Sequence, residues 1–293
     1  MQPSGPGAPY TLLFDEDRCP GLRLPTAFRS IYGGDWRLPA APPDRPYTFT
    51  NFVTSHDGKI SFDLPGRNGG GDISRNVGHD HWLMGLLRAR ADAILTGGAT
   101  LRVARTHRWT PEGIFPADAA AYAALRAAEG RSPVPLLVIV SASGELPPAD
   151  APVLNVPGQA LLIATTAAGA ARARATLGDR PAVSYHVGPD NGIAWPPLLA
   201  DLRARGIATL LSEGGARIYG ELIRAGMIDE VFLTRSPIIV GNSRTTARTS
   251  LVEGVAFHPD QPPQLELLSL RRHASYLFER ARFAASVPAK PML

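Results

Sequence analysis

The sequence holds a single cysteine, Cys19, among 293 residues. One thiol excludes an internal disulfide and any zinc site that needs two thiolates. Lysine is nearly as scarce, with Lys59 and Lys290 the only two. No apolar stretch approaches the roughly 20 residues needed to cross a bilayer. The leading residues MQPSGPGAPY lack a basic segment followed by an apolar one, so no secretory signal is expected. A cytoplasmic protein without a membrane partner is the simplest expectation. Internal repeats, coiled-coil heptads and the Gly-x-Ser-x-Gly elbow of one hydrolase class are also missing.

What is present suits a packed globular chain: 44% of residues are hydrophobic and 19% charged. The formal net charge is +4, carried almost wholly by arginine. Arginine favours bidentate recognition of phosphate and carboxylate. The blander and favoured explanation is a GC-rich coding sequence, with which the heavy use of Ala, Pro and Gly agrees. The arginines are scattered, so a nucleic-acid surface is not indicated.

Residues 1–45 read as an N-terminal extension, rich in turn signals such as Pro20-Gly21 and Gly33-Gly34-Asp35 and weak in periodicity. Residues 284–293 read as a flexible tail. Between them, over 46–283, apolar strand-like runs alternate with helical patterns. Tyr47–Thr54, Asp92–Thr96, Leu136–Val140, Leu161–Ala164, Ala182–Val187, Ile207–Leu211 and Val231–Thr234 have the continuous character of strands buried on both faces. The periodicity predicts helices over His79–Arg90, Pro116–Glu129, Ala168–Leu177, Pro197–Arg205 and Gly215–Ala225. Leu265–Leu270 and Ser275–Phe283 alternate like an antiparallel hairpin. The expected class is α/β, a mostly parallel central sheet flanked by helices, with that hairpin added at the C-terminus.

Several segments could carry chemistry. After the run ending at Leu211, Ser212-Glu213-Gly214-Gly215 leads directly into a helix, where first-turn amides and the dipole favour phosphate. Gly-Gly also simply makes a tight turn. Gly97-Gly98-Ala99-Thr100 repeats the device after another strand. Ser55-His56-Asp57-Gly58-Lys59 places acid and base at a strand end, either to handle substrate and protons or as a turn with Lys59 solvated. Leu64–Gly71 (LPGRNGGG) reads as a disordered connection or as a lid bearing Arg67. His79 and His81, two apart on a helix, point to different faces, so no metal site is expected there.

Certain blocks stand in a definite order. They are Arg45-Pro46-Tyr47, Ser55-His56-Asp57-Gly58-Lys59, Leu87-Arg88-Ala89, Asp92-Ala93-Ile94-Leu95 and Gly97-Gly98-Ala99-Thr100. Later come Glu213-Gly214-Gly215, Asp229-Glu230-Val231 and Pro237 to Gly241. Over about residues 45–283 their order and spacing resemble the pyrimidine reductase family of riboflavin biosynthesis, which has the dihydrofolate reductase fold. In bacteria that domain often follows a zinc deaminase domain, for which one cysteine and 45 leading residues are too little.

The resemblance implies a homodimer that uses NADPH to reduce a ribosylamino-pyrimidine 5′-phosphate to its ribityl form. It implies cofactor binding by Thr54, Gly97, Gly98, Thr100, Gly214, Gly215, Ala216 and Arg217. Substrate would meet Asn51, Arg88, Arg108 and Glu213, while Asp57 and Lys59 would contact substrate or supply the proton. The chain departs from the family at three places. Ala104 stands where an acid is usual, His56 replaces the leucine between Ser and Asp, and Asn51 stands where many members have lysine. The alternatives are reduction of another heterocycle such as dihydrofolate, or a non-catalytic NADPH-binding protein.

Overall fold

A computed structural model describes residues 2–284. Apart from Ala284, the expected tail lies outside the described residues. In chain order the elements begin β1 (Thr11–Asp15), α1 (Thr26–Tyr32), β2 (Tyr47–Thr54), α2 (Gly70–Ser74) and α3 (Gly78–Ala89). They continue with β3 (Ala93–Gly97), α4 (Gly98–Val103), α5 (Pro111–Ile114), α6 (Ala119–Ala128), β4 (Leu136–Val140) and β5 (Leu161–Thr165). Next come α7 (Ala167–Leu177), β6 (Val183–Val187), α8 (Trp195–Ala204), β7 (Thr209–Ser212) and α9 (Ala216–Arg224). The last are β8 (Glu230–Arg235), β9 (Leu265–His273) and β10 (Tyr276–Phe283).

The described chain forms two compact units. The first comprises Ala40–Tyr47 and Met84–Gly215; the second comprises Gln2–Pro39, Thr48–Leu83 and the chain from Ala216 onward. In the first unit the strands run β7-β3-β4-β5-β6, every neighbouring pair parallel. All residues of β3, β5 and β7 are buried, which is why their sequences are unbroken apolar runs. The last turn of α3 is held from outside. Arg126 Nη1 donates to the carbonyls of Arg88, Ala89 and Ala91 at 3.1, 3.2 and 2.7 Å. Those acceptors are left unpaired when a helix stops, so a buried guanidinium on them is a C-terminal cap.

In the second unit β1, β9, β10 and β8 are antiparallel in that order, and β2 joins β8 in parallel. The leading residues are part of this unit's packing. β1 pairs with β9 through Thr11↔Arg272 and Asp15↔Ser269. Trp36 is fully buried, its ring 5.2 Å from Phe49 and 5.0 Å from Phe232. Arg280, 1% exposed, is gripped by Glu230 at 2.7 and 2.8 Å and by Asp17 at 2.6 Å. Arg271 lies 3.7 Å over the Tyr32 ring and donates to the Tyr32 carbonyl.

Several boundaries differ from the sequence expectation. Within residues 1–45 the structure has β1 and α1, whose order depends on partners far along the chain. The helix expected at Pro197 starts at Trp195, so Pro196 and Pro197 sit in its first turn, where no N–H is needed. Ile207 closes the end of α8 by donating to the Leu202 carbonyl, so β7 begins only at Thr209. Among the described residues no helix is long and apolar enough to cross a membrane.

Candidate functional site

The densest polar cluster expected from the sequence lies in the first unit. Arg88, in the last turn of α3, is 1% exposed. Its Nε and Nη2 donate to Glu213 Oε1 and Oε2 at 2.8 and 2.6 Å, a bidentate pair. Nη1 donates to the carbonyls of Arg108 and Thr110 at 3.0 and 3.2 Å, and Nη2 also meets His107 Nε2 at 2.9 Å. All five guanidinium N–H groups are therefore committed. Glu213 follows β7 directly, and its own N–H donates to the Leu95 carbonyl at 2.8 Å. The cluster thus sits at the carboxyl ends of the adjacent parallel strands β7 and β3, where ligands settle in open α/β sheets.

This arrangement changes the expected roles. Arg88 has no donor left for a ligand; it ties Glu213 to the 107–110 segment. The Arg108 guanidinium is exposed and makes no hydrogen bond or ion pair among the described residues. It is the cation of the cluster that can meet an anion. Sequence reasoning passed over His107, although a histidine immediately before Arg108 was a visible signal.

The two glycine turns also part ways. Gly97 ends β3 and Gly98 opens α4. A Cβ at Gly98 would lie 2.9 Å from Ser141 Cβ and 3.0 Å from the Glu145 carbonyl. The missing side chain there makes room for the protein's own loop. Thr100 is half-buried, and its carbonyl accepts the Ala104 N–H at 2.9 Å. At Gly215, by contrast, an added Cβ would meet nothing within 4 Å. Gly214 is buried, and α9 begins at Ala216 with Arg217 exposed. An open glycine, the first-turn amides of α9 and an exposed arginine suit the phosphates of a nicotinamide cofactor.

Asn51, Thr54, Asp57 and Lys59 belong to the second unit. Asn51 is buried and pairs in register with Phe232. The Thr54 carbonyl accepts the Ser236 N–H at 2.8 Å, extending the β2–β8 ladder. Asp57 accepts from Ser55 Oγ at 2.6 Å and from the amides of Val240 and Gly241 at 3.0 and 2.7 Å. Partial burial raises its pKa, but these donors outweigh it and bring it down to about 2. Asp57 is consequently an ionised clamp between two loops and no proton donor near neutrality. Lys59 Nζ donates to Ser250 Oγ at 2.9 Å, so the lysine is neither buried nor simply solvated.

The Leu64–Gly71 segment is not a structureless connection. Leu64 and Arg67 form a β-bridge, Arg67 pairs with Asp72 at 3.0 Å on the surface, and α2 begins at Gly70. A Cβ at Gly71 would fall 2.5 Å from Asn76 Oδ1, so the glycine serves close local packing. His79 stacks on His273 with ring centroids 3.4 Å apart. Among the described residues no group of three or more His, Cys, Asp or Glu is placed to hold a metal ion.

A family model described as the RibD C-terminal domain matches residues 46–276. A 2,5-diamino-6-ribosylamino-4(3H)-pyrimidinone 5′-phosphate reductase of Aquifex aeolicus is 28% identical over 214 residues, covering 73% of this chain and 85% of that protein. A protein of the same name from Archaeoglobus fulgidus is 28% identical over 202 residues, covering 67% and 83%. Among solved structures, a pyrimidine reductase-like protein from Corynebacterium diphtheriae has a TM-score of 0.62 at 21% identity, covering 83% of this chain and 94% of that one. A deaminase/reductase from Thermotoga maritima gives 0.60 at 19% identity over 82% of this chain; the match spans 57% of that longer protein. These likenesses establish the dihydrofolate reductase-like fold.

Proposed function

The chain belongs to the RibD C-terminal domain family, and from that premise we propose that it reduces a ribosylamino-pyrimidine 5′-phosphate to the ribityl compound, with NADPH as reductant. The observation that carries the reading is the Arg88–Glu213 pair, which pins the carbonyl of Arg108 while the Arg108 guanidinium stays exposed. A phosphorylated substrate needs such a cation on a fixed backbone. The relatives' names as reductases support the same class.

NADPH, when bound, supplies the hydride that reaches the ribose C1. The chain's own residues bind and orient. Arg108 takes the 5′-phosphate, Glu213 is held by Arg88 at the strand end, and the Gly214–Arg217 turn with Thr100 takes the cofactor. Opening the sugar ring to an imine needs a proton, for which the family resemblance offers Lys59. Much of the rate then comes from positioning two reactants. Residues 46–283 are read as the reductase portion, acting as a homodimer in the cytoplasm.

The test is NADPH oxidation by purified protein, followed by loss of its near-ultraviolet absorbance. The ribosylamino-pyrimidine phosphate and dihydrofolate are assayed in parallel. Turnover of the first supports the reading. Turnover of dihydrofolate alone replaces the substrate, an alternative that Ala104 favours because the usual acid is missing there. NADPH binding without turnover of either compound supports the non-catalytic alternative. Absence of NADPH binding ends the proposal, and sedimentation of the pure protein checks the dimer.

A further inference from the structure

His107 is assigned no part in the reductase reading, yet it touches the residue that organises the cluster. Arg88 Nη2 lies 2.9 Å from His107 Nε2. A guanidinium in a protein only donates, so Nε2 must offer its lone pair. His107 is then neutral, with its proton on Nδ1. Its ring stands edge-on to the buried Trp109, centroids 4.5 Å apart at 80°, so packing fixes its orientation. The same guanidinium holds the carbonyls of Arg108 and Thr110 and both oxygens of Glu213.

We infer that His107 is a positioning residue of the reductase site: as a neutral acceptor it completes the bonding of Arg88, and so keeps Arg108 placed for an anionic substrate group. The inference rests on the reductase reading. Protonation would set an Nε2–H against an Nη2–H and bring a second positive charge beside a buried one. Charged groups on this contact include Arg88 from α3 and Glu213 after β7, bound to that same Nη2, with Arg108 next in the chain; Trp109 is uncharged. Loss of the contact loosens the 107–110 segment, and with it the grip on the substrate phosphate.

The experiment is steady-state kinetics of the full chain with the ribosylamino-pyrimidine phosphate, from about pH 5.5 to about pH 8, the span in which an imidazole titrates. KM is expected to rise as pH falls through the acid end of that span, with kcat changing little. His107→Gln offers an amide oxygen near the place of Nε2 and does not titrate. It should keep the wild-type KM at the alkaline end and retain only the slope owed to the substrate phosphate's own ionisation. His107→Leu removes the acceptor and should raise KM about tenfold at every pH. An unaltered acid rise in the glutamine variant, or a wild-type KM in the leucine variant, overturns the inference.

A second readout needs neither turnover nor a variant. Imidazole nitrogen-15 spectra near neutral pH should show His107 protonated on Nδ1 and bare on Nε2. An Nε2–H tautomer or an imidazolium there overturns the inference even with full activity. A wild-type protein that leaves the phosphorylated pyrimidine untouched brings down the reductase reading instead, whatever the tautomer.

Discussion

Asp17→Ala tests how firmly the leading residues belong to the second unit. Asp17 Oδ2 accepts from Arg280 Nη1 at 2.6 Å, and its Oδ1 accepts the Cys19 N–H at 2.9 Å. Arg280 keeps its bidentate bonds to the fully buried Glu230, so the variant leaves the cation paired. The loss is one charge-assisted bond and one side-chain acceptor of a backbone N–H, about 2–4 kcal/mol. Glu230→Ala instead strips the main counter-charge from a guanidinium that is 1% exposed, and should cost about 3–5 kcal/mol. For a chain of this size each kcal/mol moves the transition by roughly 2–4 °C, so Asp17→Ala should lower Tm by about 4–16 °C. Calorimetry at neutral pH reads the shift, with the exposed Glu266→Ala as the unchanged control. Burial raises the pKa of Asp17, but the charge and hydrogen bond of Arg280 overcome this and hold it below the usual value of 3.8. Its contribution is therefore complete above that value and lost as pH falls through the lowered folded pKa. An Asp17→Ala protein melting within about 2 °C of wild type would refute the coupling of the leading segment to β8 and β10.

Other expectations follow from single contacts. Gly98→Ala forces a Cβ into Ser141 and the Glu145 carbonyl and should cost about 1–3 kcal/mol in thermal unfolding. Gly215→Ala, in open space, should leave Tm unchanged but raise the dissociation constant for NADPH in a fluorescence titration. Burial and the stacked His273 lower the pKa of His79 to about 4, against an opposing hydrogen bond to the Ala8 carbonyl. Its stabilisation is complete above about pH 6.5 and lost as pH falls toward 4. Calorimetry of His79→Phe across that window should show a shallower fall in Tm, by at most about 3 kcal/mol in equivalent stability. Arg88→Lys cannot serve both oxygens of Glu213 together with His107 and the two carbonyls. It should reduce stability by about 2–4 kcal/mol and abolish turnover, which denaturant melts and the NADPH assay would report.

The first unit was the most legible part of the chain. Leu136–Val140 is a strand with the bounds its sequence predicted, because a parallel strand buried on both faces must be apolar along its whole length. β1 and α1 were not legible. β1 is largely exposed, and its pairing with β9 lies far away in the chain. α1 buries just Phe28 and Tyr32 over seven residues, too few for a periodic signal. At the site, the glycines announced turns, but only the atoms they would strike separate Gly98, packed on its own loop, from Gly215. Arg88 and Glu213 stand 125 positions apart, so no local pattern joins them, and the resemblance alone placed both at the substrate. The use of all five Arg88 donors depends on three-dimensional contact and left no mark in the sequence.

The ion pair between Asp17 and Arg280 joins positions 263 residues apart. On the ribosome, β1, α1 and Trp36 emerge long before β9 and β10 exist, whereas the main segment of the first unit is finished at Gly215. A nascent chain can thus assemble the first unit early, while the second waits for its final hairpin across a separation of 263 residues. Translation arrested before Arg280 leaves Asp17 and Glu230 as two carboxylates destined for burial without a cation. Such a fragment lacks a complete β10 and the guanidinium that both carboxylates bind.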